Sequence, residues 1–429
     1  MGIKAVKFGG TSLSHAEQIK KAAEIVRSDK ERRIITVSAP GKRFPQDEKI
    51  TDLLYRMDQS KTKEEREQIF SVIRERLDEI IRSLSLELDF SEEYRRISDG
   101  VCGAELYGRG EYFCARIFAE FLGYSFTDAR DVIYFKENGE PDLPKIKKAV
   151  QAVLKAKEKT VIPGFYGSLP NGDIAVFPRG GSDITGALAA YAAEADIYEN
   201  FTDVNGFLLA DPKTAEHPKT VKEVSYAELR RLSSMGACVL HADSVLPLKE
   251  SEIPVLIKNT NDPNGAYTKI CAKKKERGFS GIVGQKGYLL FSVTLAEIGK
   301  KLSDFQKLLR FFESYTDHVY STPHTVDAVG VLVNCEELQT DRETLEKELR
   351  AQFHAENISV TENLALLSLI GEGMSAEGTE RLLRSMKEIG AEPILLDGGA
   401  DSLGITVGFH EKYLKELIVN IYRNLQSIR

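Results

Sequence analysis

Apolar and polar positions along the chain alternate between two periods. Ile3–Phe8 is a short apolar run that ends in Gly9-Gly10-Thr11-Ser12, and Ser14 is placed to cap a helix over about His15–Arg27. Ile34–Ser38 predicts a second strand, broken by Ala39-Pro40-Gly41 and followed by a charged loop to about Lys49. Helical spacing then runs from Thr51 to about Leu86, and again over about Ala104–Leu122. Strand-like pieces return at Asp131–Phe135, Thr160–Phe165, Ile174–Phe177, Ile197–Thr202 and Pro254–Lys258, with a helix from about Ser182 through the small-residue run Ala187–Ala193. Strands that alternate with helices over residues 1–270 predict an α/β domain, its mainly parallel sheet covered by helices.

The pattern changes after Ile270. The run from Cys271 to Gly281 is basic and reads as a linker. Beyond it lie two weakly similar halves, 282–356 and 357–429, each in the order strand, helix, strands, helix. That order predicts two ferredoxin-like units in tandem, able to interleave.

Composition narrows the function classes. With 429 residues, 42% hydrophobic and 29% charged, the chain has enough apolar surface to fold and is not wholly disordered. The net charge of −7 disfavours a nucleic-acid scaffold, so no nucleic-acid partner is expected. No apolar run approaches the roughly 20 residues of a spanning helix, and the N-terminus lacks the basic-then-apolar order of an export signal. No membrane association is expected. Cys102, Cys114, Cys238, Cys271 and Cys335 form no CxxC pair, which suits a reducing cytoplasm and suggests no metal site.

Five stretches carry residues suited to chemistry. Lys7-Phe8-Gly9-Gly10-Thr11-Ser12 is a strand running into two glycines, where backbone N–H groups can cradle a phosphate or simply make a tight turn. Arg179-Gly180-Gly181-Ser182-Asp183 opens a helix with an Arg able to fork a carboxylate; Asp183 can orient a lysine or merely cap. Phe201-Thr202-Asp203-Val204-Asn205-Gly206 and Ala210-Asp211-Pro212-Lys213 follow a strand, where open α/β sheets bind ligands or ordinary turns form. Glu111, after Gly108-Arg109-Gly110, is favourable at a helix start for dipole reasons alone. His241 ends the apolar run Met235–Leu240, where a helix cap or core role competes with a ligand role.

Taken together, in this order and spacing, these blocks resemble the aspartate kinases over the whole chain, and the C-terminal pair resembles their tandem ACT regulatory domains. Ser38–Lys42, Ile50–Leu54 and Ile253–Thr260 also match. The resemblance implies an amino-acid-kinase αβα sandwich plus two ACT units. It also implies Mg²⁺- and ATP-dependent phosphorylation of the L-aspartate side-chain carboxylate to 4-phospho-L-aspartate, a step of amino-acid biosynthesis. That carboxylate is already ionised at neutral pH, so positioning and charge neutralisation replace a general base. By residue matching, Lys7 and Asp183 are catalytic. Ser38, Thr51, Glu111 and Arg179 bind aspartate, with Glu111 on its ammonium and Arg179 on its α-carboxylate. Lys7, Gly9, Gly10, Ser12, Thr202, Asp203, Leu208, Lys213, Cys238 and Val239 meet ATP. No residue is assigned as a metal ligand.

Departures from the family pattern fall in the nucleotide region. Cys238 stands where Lys is common, Lys213 where Arg is common, Leu208 where Tyr is common, and Asn205 where Pro is common. They motivate a rival reading, a catalytically weak amino-acid sensor on the same fold, although the charged set is intact. The effector loop, Ala296–Phe305, matches poorly, Val326–Val329 matches the facing strand, and Leu395–Val407 is a diverged serine-rich turn. Allosteric lysine is the effector implied, against a purely structural dimerisation module. The resemblance further implies a cytoplasmic, monofunctional homodimer.

Overall fold

A computed structural model describes residues 2–426 apart from 179, 237–239, 241, 295–301, 326, 354, 356 and 399–402. The chain divides into two compact units. The first comprises Met1–Phe207, Thr220–Ser233 and Cys238–Glu276; the second comprises Leu208–Lys219, Ser234–Ala237 and Arg277–Arg429.

In the first unit, β1 (Lys4–Phe8) leads to helix α1 (Ala16–Arg27) and β2 (Arg32–Val37). Helices α2 (Ile50–Asp58), α3 (Lys63–Ser83), α4 (Ser91–Ser98), α5 (Gly103–Tyr107) and α6 (Arg109–Leu122) precede β3 (Ser125–Phe126). Then come α7 (Leu143–Ala156), β4 (Thr160–Pro163), a small hairpin of β5 (Tyr166–Ser168) and β6 (Ile174–Val176), α8 (Gly181–Ala192) and β7 (Ile197–Thr202). The unit closes with β8 (Glu223–Ser225), α9 (Tyr226–Ser234), α10 (Leu246–Glu250), β9 (Val255–Asn259) and β10 (Thr268–Cys271). The sheet order is β3-β4-β2-β1-β7-β9-β10-β8, parallel from β3 to β9, with β10 antiparallel to β9.

After β1 the chain turns toward β2 and β4, and only later returns to β7 on the other side of β1. The carboxyl ends of β1, β2 and β7 therefore flank a topological switch point, where such sheets open a crevice. Successive residues of β1 face opposite ways. Phe8 meets Phe118 of α6 edge-on, while Lys7 lies under Gly186 of α8, so the two helices cover opposite faces.

The second unit is one five-stranded antiparallel sheet, built from β11 (Gly281–Thr294), β12 (Ala328–Asn334), β13 (Asn357–Ile370), β14 (Leu395–Asp397) and β15 (Gly404–His410) in the order β12-β11-β13-β15-β14. Its helices are α11 (Leu302–Glu313), α12 (Arg342–Phe353), α13 (Ser375–Glu388) and α14 (Leu414–Gln426). The two long strands each contribute to more than one core among the described residues. Phe291 and Ile358 pack with Phe312, Val331 and Leu345, whereas Ile282 and Leu367 pack with Leu382, Val407 and Leu417. The register between β11 and β13 shifts beside Gly287, whose φ of 85° suits glycine. Ala210 and Ala215 also enter the second of these cores, and Tyr422 Oη accepts from the Lys219 N–H and donates to the His217 carbonyl.

Several elements differ from the sequence pattern. The helical stretch after Thr51 breaks at Gln59–Ser60, and Thr62 caps a new helix by accepting from the Glu65 N–H. The stretch over Ala104–Leu122 divides at Gly108, beside the Tyr166 ring. Asp131–Phe135 forms isolated bridges instead of a ladder, because its backbone pairs with the short hairpin. Ser14 is not the cap of α1: its hydroxyl bonds the Thr11 carbonyl and His15 Nδ1, and His15 takes the cap position. The basic run after Cys271 is anchored, with Lys274 bridging to buried Glu228 at 2.9 Å. Helix α7 and strands β8 and β10 go beyond the pattern.

Candidate functional site

Lys7 and Asn200 are register partners on β1 and β7, so their side chains stand side by side on one face. Asp183, in the first turn of α8, meets both. Lys7 Nζ lies 2.7 Å from its Oδ1, and Asn200 Nδ2 donates to the same oxygen at 2.8 Å. Lys7 is only 6% exposed. A buried ammonium needs such partners, and the pair pins its position at the sheet's carboxyl edge. The start of α8 is set by Gly180, whose φ of 78° is left-handed, and the Asp183 N–H closes on the Gly180 carbonyl.

The turn after β1 lies beside this lysine. The Gly9 N–H donates to the Phe201 carbonyl, and Lys7 Nζ is 3.7 Å from where a Gly9 Cβ would stand. Gly10 packs against the Ala39–Gly41 backbone: a Cβ there would come within 2.8 Å of the Ala39 oxygen. Ser12 Oγ is turned into the protein and shares a 2.7 Å hydrogen bond with Thr260 Oγ1.

Glu111 sits in the first turn of α6, fully buried, and its Oε2 has no hydrogen-bond partner. Burial pushes its carboxyl up to about 8, opposed by the N–H groups of Ala39 and of Glu111 itself and by the Lys7 charge. A carboxyl held ready in this way, with one free oxygen, suits a cationic group that arrives with a ligand.

The remaining candidates are distributed. Ser38 follows β2, its N–H donating to the Phe8 carbonyl, and Thr51 lies in the first turn of α2. Thr202 Oγ1 closes a local turn with the Val204 backbone, and Asp203 follows at the end of β7. Leu208 and Lys213 belong to the second compact unit. Arg179, Cys238, Val239 and His241 lie outside the described residues, as do Ala296–Lys301, Val326 and residues 399–402 of the effector stretches. Sequence reasoning missed Asn200. Its signal is an amide at the centre of an otherwise buried strand, which must have a partner.

A mainly parallel sheet, a switch point and a buried lysine held by a helix-start aspartate define an α/β protein with a site suited to small anions. The model of the amino acid kinase family matches residues 2–259, and the chain belongs to that family. Over the full length of both chains it is similar to the aspartate kinase of Clostridium acetobutylicum, with a TM-score of 0.91 at 33% identity. It is 27% identical to aspartokinase 3 of Bacillus subtilis, covering 98% of each chain. It is 28% identical to the lysine-sensitive aspartokinase 3 of Escherichia coli, covering 86% of this chain and 87% of that one. Within the family, then, the chain is an aspartate kinase. Among the described residues no helix is long and apolar enough to cross a membrane.

Proposed function

We propose that the cluster around Lys7 is where this aspartate kinase transfers the γ-phosphoryl group of ATP to the side-chain carboxylate of L-aspartate, giving ADP and 4-phospho-L-aspartate. One observation carries the reading. A buried lysine, pinned by Asp183 and Asn200, stands beside a glycine turn, and its charge acts on a buried carboxyl with a free oxygen. Lys7, beside the Gly9–Gly10 turn, receives the transferring phosphate and stabilises its spreading charge. Glu111 takes the aspartate ammonium and Arg179 its α-carboxylate, which aims the other carboxylate in line with the phosphorus. Ser38 and Thr51 border the aspartate, and Thr202 and Asp203 the nucleotide.

Among the described residues no three carboxylate, histidine or cysteine groups cluster. Mg²⁺ suits such a site when nucleotide phosphates supply most of its oxygens, with Asp183 as the carboxylate at hand. When bound, it would neutralise charge on the phosphates.

The second unit is read as an interleaved pair of ACT-like units, spanning 282–356 and 357–429 and sharing β11 and β13. The E. coli relative is lysine-sensitive by name, and lysine is the effector proposed here. Assembly as a homodimer is part of the same reading.

The test is ADP release by the purified protein with Mg·ATP, with and without L-aspartate, with glutamate and N-acetylglutamate as decoys. Aspartate-dependent turnover is expected, with Lys7→Ala lowering kcat by about 10²–10³-fold and Arg179→Ala raising KM for aspartate. A fall in rate on adding lysine assigns the second unit its sensing role. Saturable amino-acid binding without turnover would replace the kinase reading with that of a sensor.

A further inference from the structure

Helix α3 buries a stripe of Ile69, Phe70, Ile73, Leu77 and Ile80, and Arg76 falls on that stripe, 3% exposed. A guanidinium on an apolar face has to be satisfied there. Arg76 Nη2 donates to the Gly41 carbonyl and Nη1 to the Glu48 carbonyl, both at 2.7 Å. One rigid fork thus draws together the two ends of the charged loop Gly41–Glu48. Asp47 completes the knot: it lies 3.5 Å from Arg76 Nη2 and accepts from Arg43 Nε, Nη2 and backbone N–H at 2.9–3.1 Å.

Both loop ends lead into the site. On one side, the Gly41 N–H donates at 2.8 Å to the carbonyl of Gly10 in the phosphate turn. Two residues earlier, Ala39 lies against Gly110, where an added methyl would come within 2.7 Å of the Ala39 Cβ, next to Glu111. On the other side, Lys49 accepts from the Leu53 N–H and starts α2, which carries Thr51.

We propose that Arg76 is a positioning residue for aspartate binding: by fixing both ends of the Gly41–Glu48 loop it holds the Ser38–Gly41 segment between the phosphate turn and Glu111. The inference rests on the aspartate site read above. In this reading Arg76 acts through the loop, by way of the Gly41 and Glu48 carbonyls. Lysine in its place keeps the charge, but a single ammonium lacks the planar fork that spans both carbonyls.

The test compares Arg76→Lys with the wild-type enzyme in steady-state kinetics and in hydrogen exchange of the full-length protein. Losing one charge-assisted bond predicts a KM for aspartate raised about tenfold, with kcat changed by less than about threefold. Exchange should quicken in the 38–48 peptide and stay unchanged in Arg32–Val37. Arg43→Ala, on the more exposed side of the knot, should move the same readings less, and it carries the test if Arg76→Lys does not fold. An unchanged KM for aspartate overturns the proposal, whether or not the loop exchanges faster. So does exchange that quickens across the whole sheet with every kinetic constant falling together, the mark of a merely structural arginine. Glu111→Gln separates the two levels. If it leaves KM for aspartate unchanged, the site reading itself fails; if it raises KM while Arg76→Lys does not, only the role of Arg76 fails.

Discussion

On the proposed site, with Glu111 holding the aspartate ammonium, aspartate binding should depend on pH in a way that can be worked out from the surroundings of that residue. Its carboxyl is fully buried, one oxygen lacks a partner, and burial pushes it up to about 8 from an ordinary 4.5. In the ligand-free protein at pH 7 only about one-tenth of it is ionised. An ammonium needs the ionised form, so apparent aspartate affinity should rise about tenfold per pH unit up to about 8 and then level off. Binding at pH 7 should release close to one proton, which calorimetry in two buffers of different ionisation enthalpy would read. The stability sign is opposite. Between pH 4.5 and 8 the folded state holds a proton that the unfolded chain releases, so ligand-free stability falls as pH rises through that window, by of order 5 kcal/mol at most. Glu111→Gln should flatten both profiles, raise KM for aspartate at pH 8 by about 10–100-fold, and stabilise the ligand-free protein above pH 8. A wild-type KM that stays flat from pH 6 to 9 would refute the reasoning. A slope that survives in Glu111→Gln would assign the titration to another group.

Two further substitutions probe the pinning of the lysine and the turn. Asn200→Ala removes the amide from Asp183 and should lower kcat about tenfold. Asn200→Asp, which sets a second carboxylate against the first, should cost more, and equal losses would mean that the amide does not orient Asp183. Gly10→Ala forces a methyl to within 2.8 Å of the Ala39 oxygen and should destabilise the fold by about 1–3 kcal/mol, read by urea unfolding. A neutral effect would show that the turn yields easily.

Local signals placed most of the strands. The apolar run of β1 ending in two glycines, the breaker after β2 and the small-residue helix after Gly181 are features of neighbouring residues, and the structure has each of them. Signals failed where partners are remote. Ser14 has the right chemistry for a cap, yet its hydroxyl is taken by Thr11 and His15. Ser12 Oγ pairs with Thr260, 248 positions away in sequence, a contact that no local pattern contains. Each of the two long strands of the second unit joins separate cores along its length, a continuity that only the fold reveals.

The types of group at the site could be read directly from the chain: a lysine before a glycine turn, a carboxylate at one helix start and an aspartate at another. Sequence also sets the net charge of −7 and the period of each element, since both follow from residue identity and local geometry. Tertiary structure alone decided what those groups do to one another. Pairing β1 with β7 puts Lys7 beside Asn200, and the packing of α8 adds Asp183. Packing of the start of α6 against Ala39 and α2 strips water from Glu111 and moves its proton affinity into the neutral range. Arg76 reads locally as one more charge in a charged helix, until burial forces it to find the carbonyls of Gly41 and Glu48. Desolvation and long-range pairing are properties of a folded neighbourhood, and no window of sequence contains them.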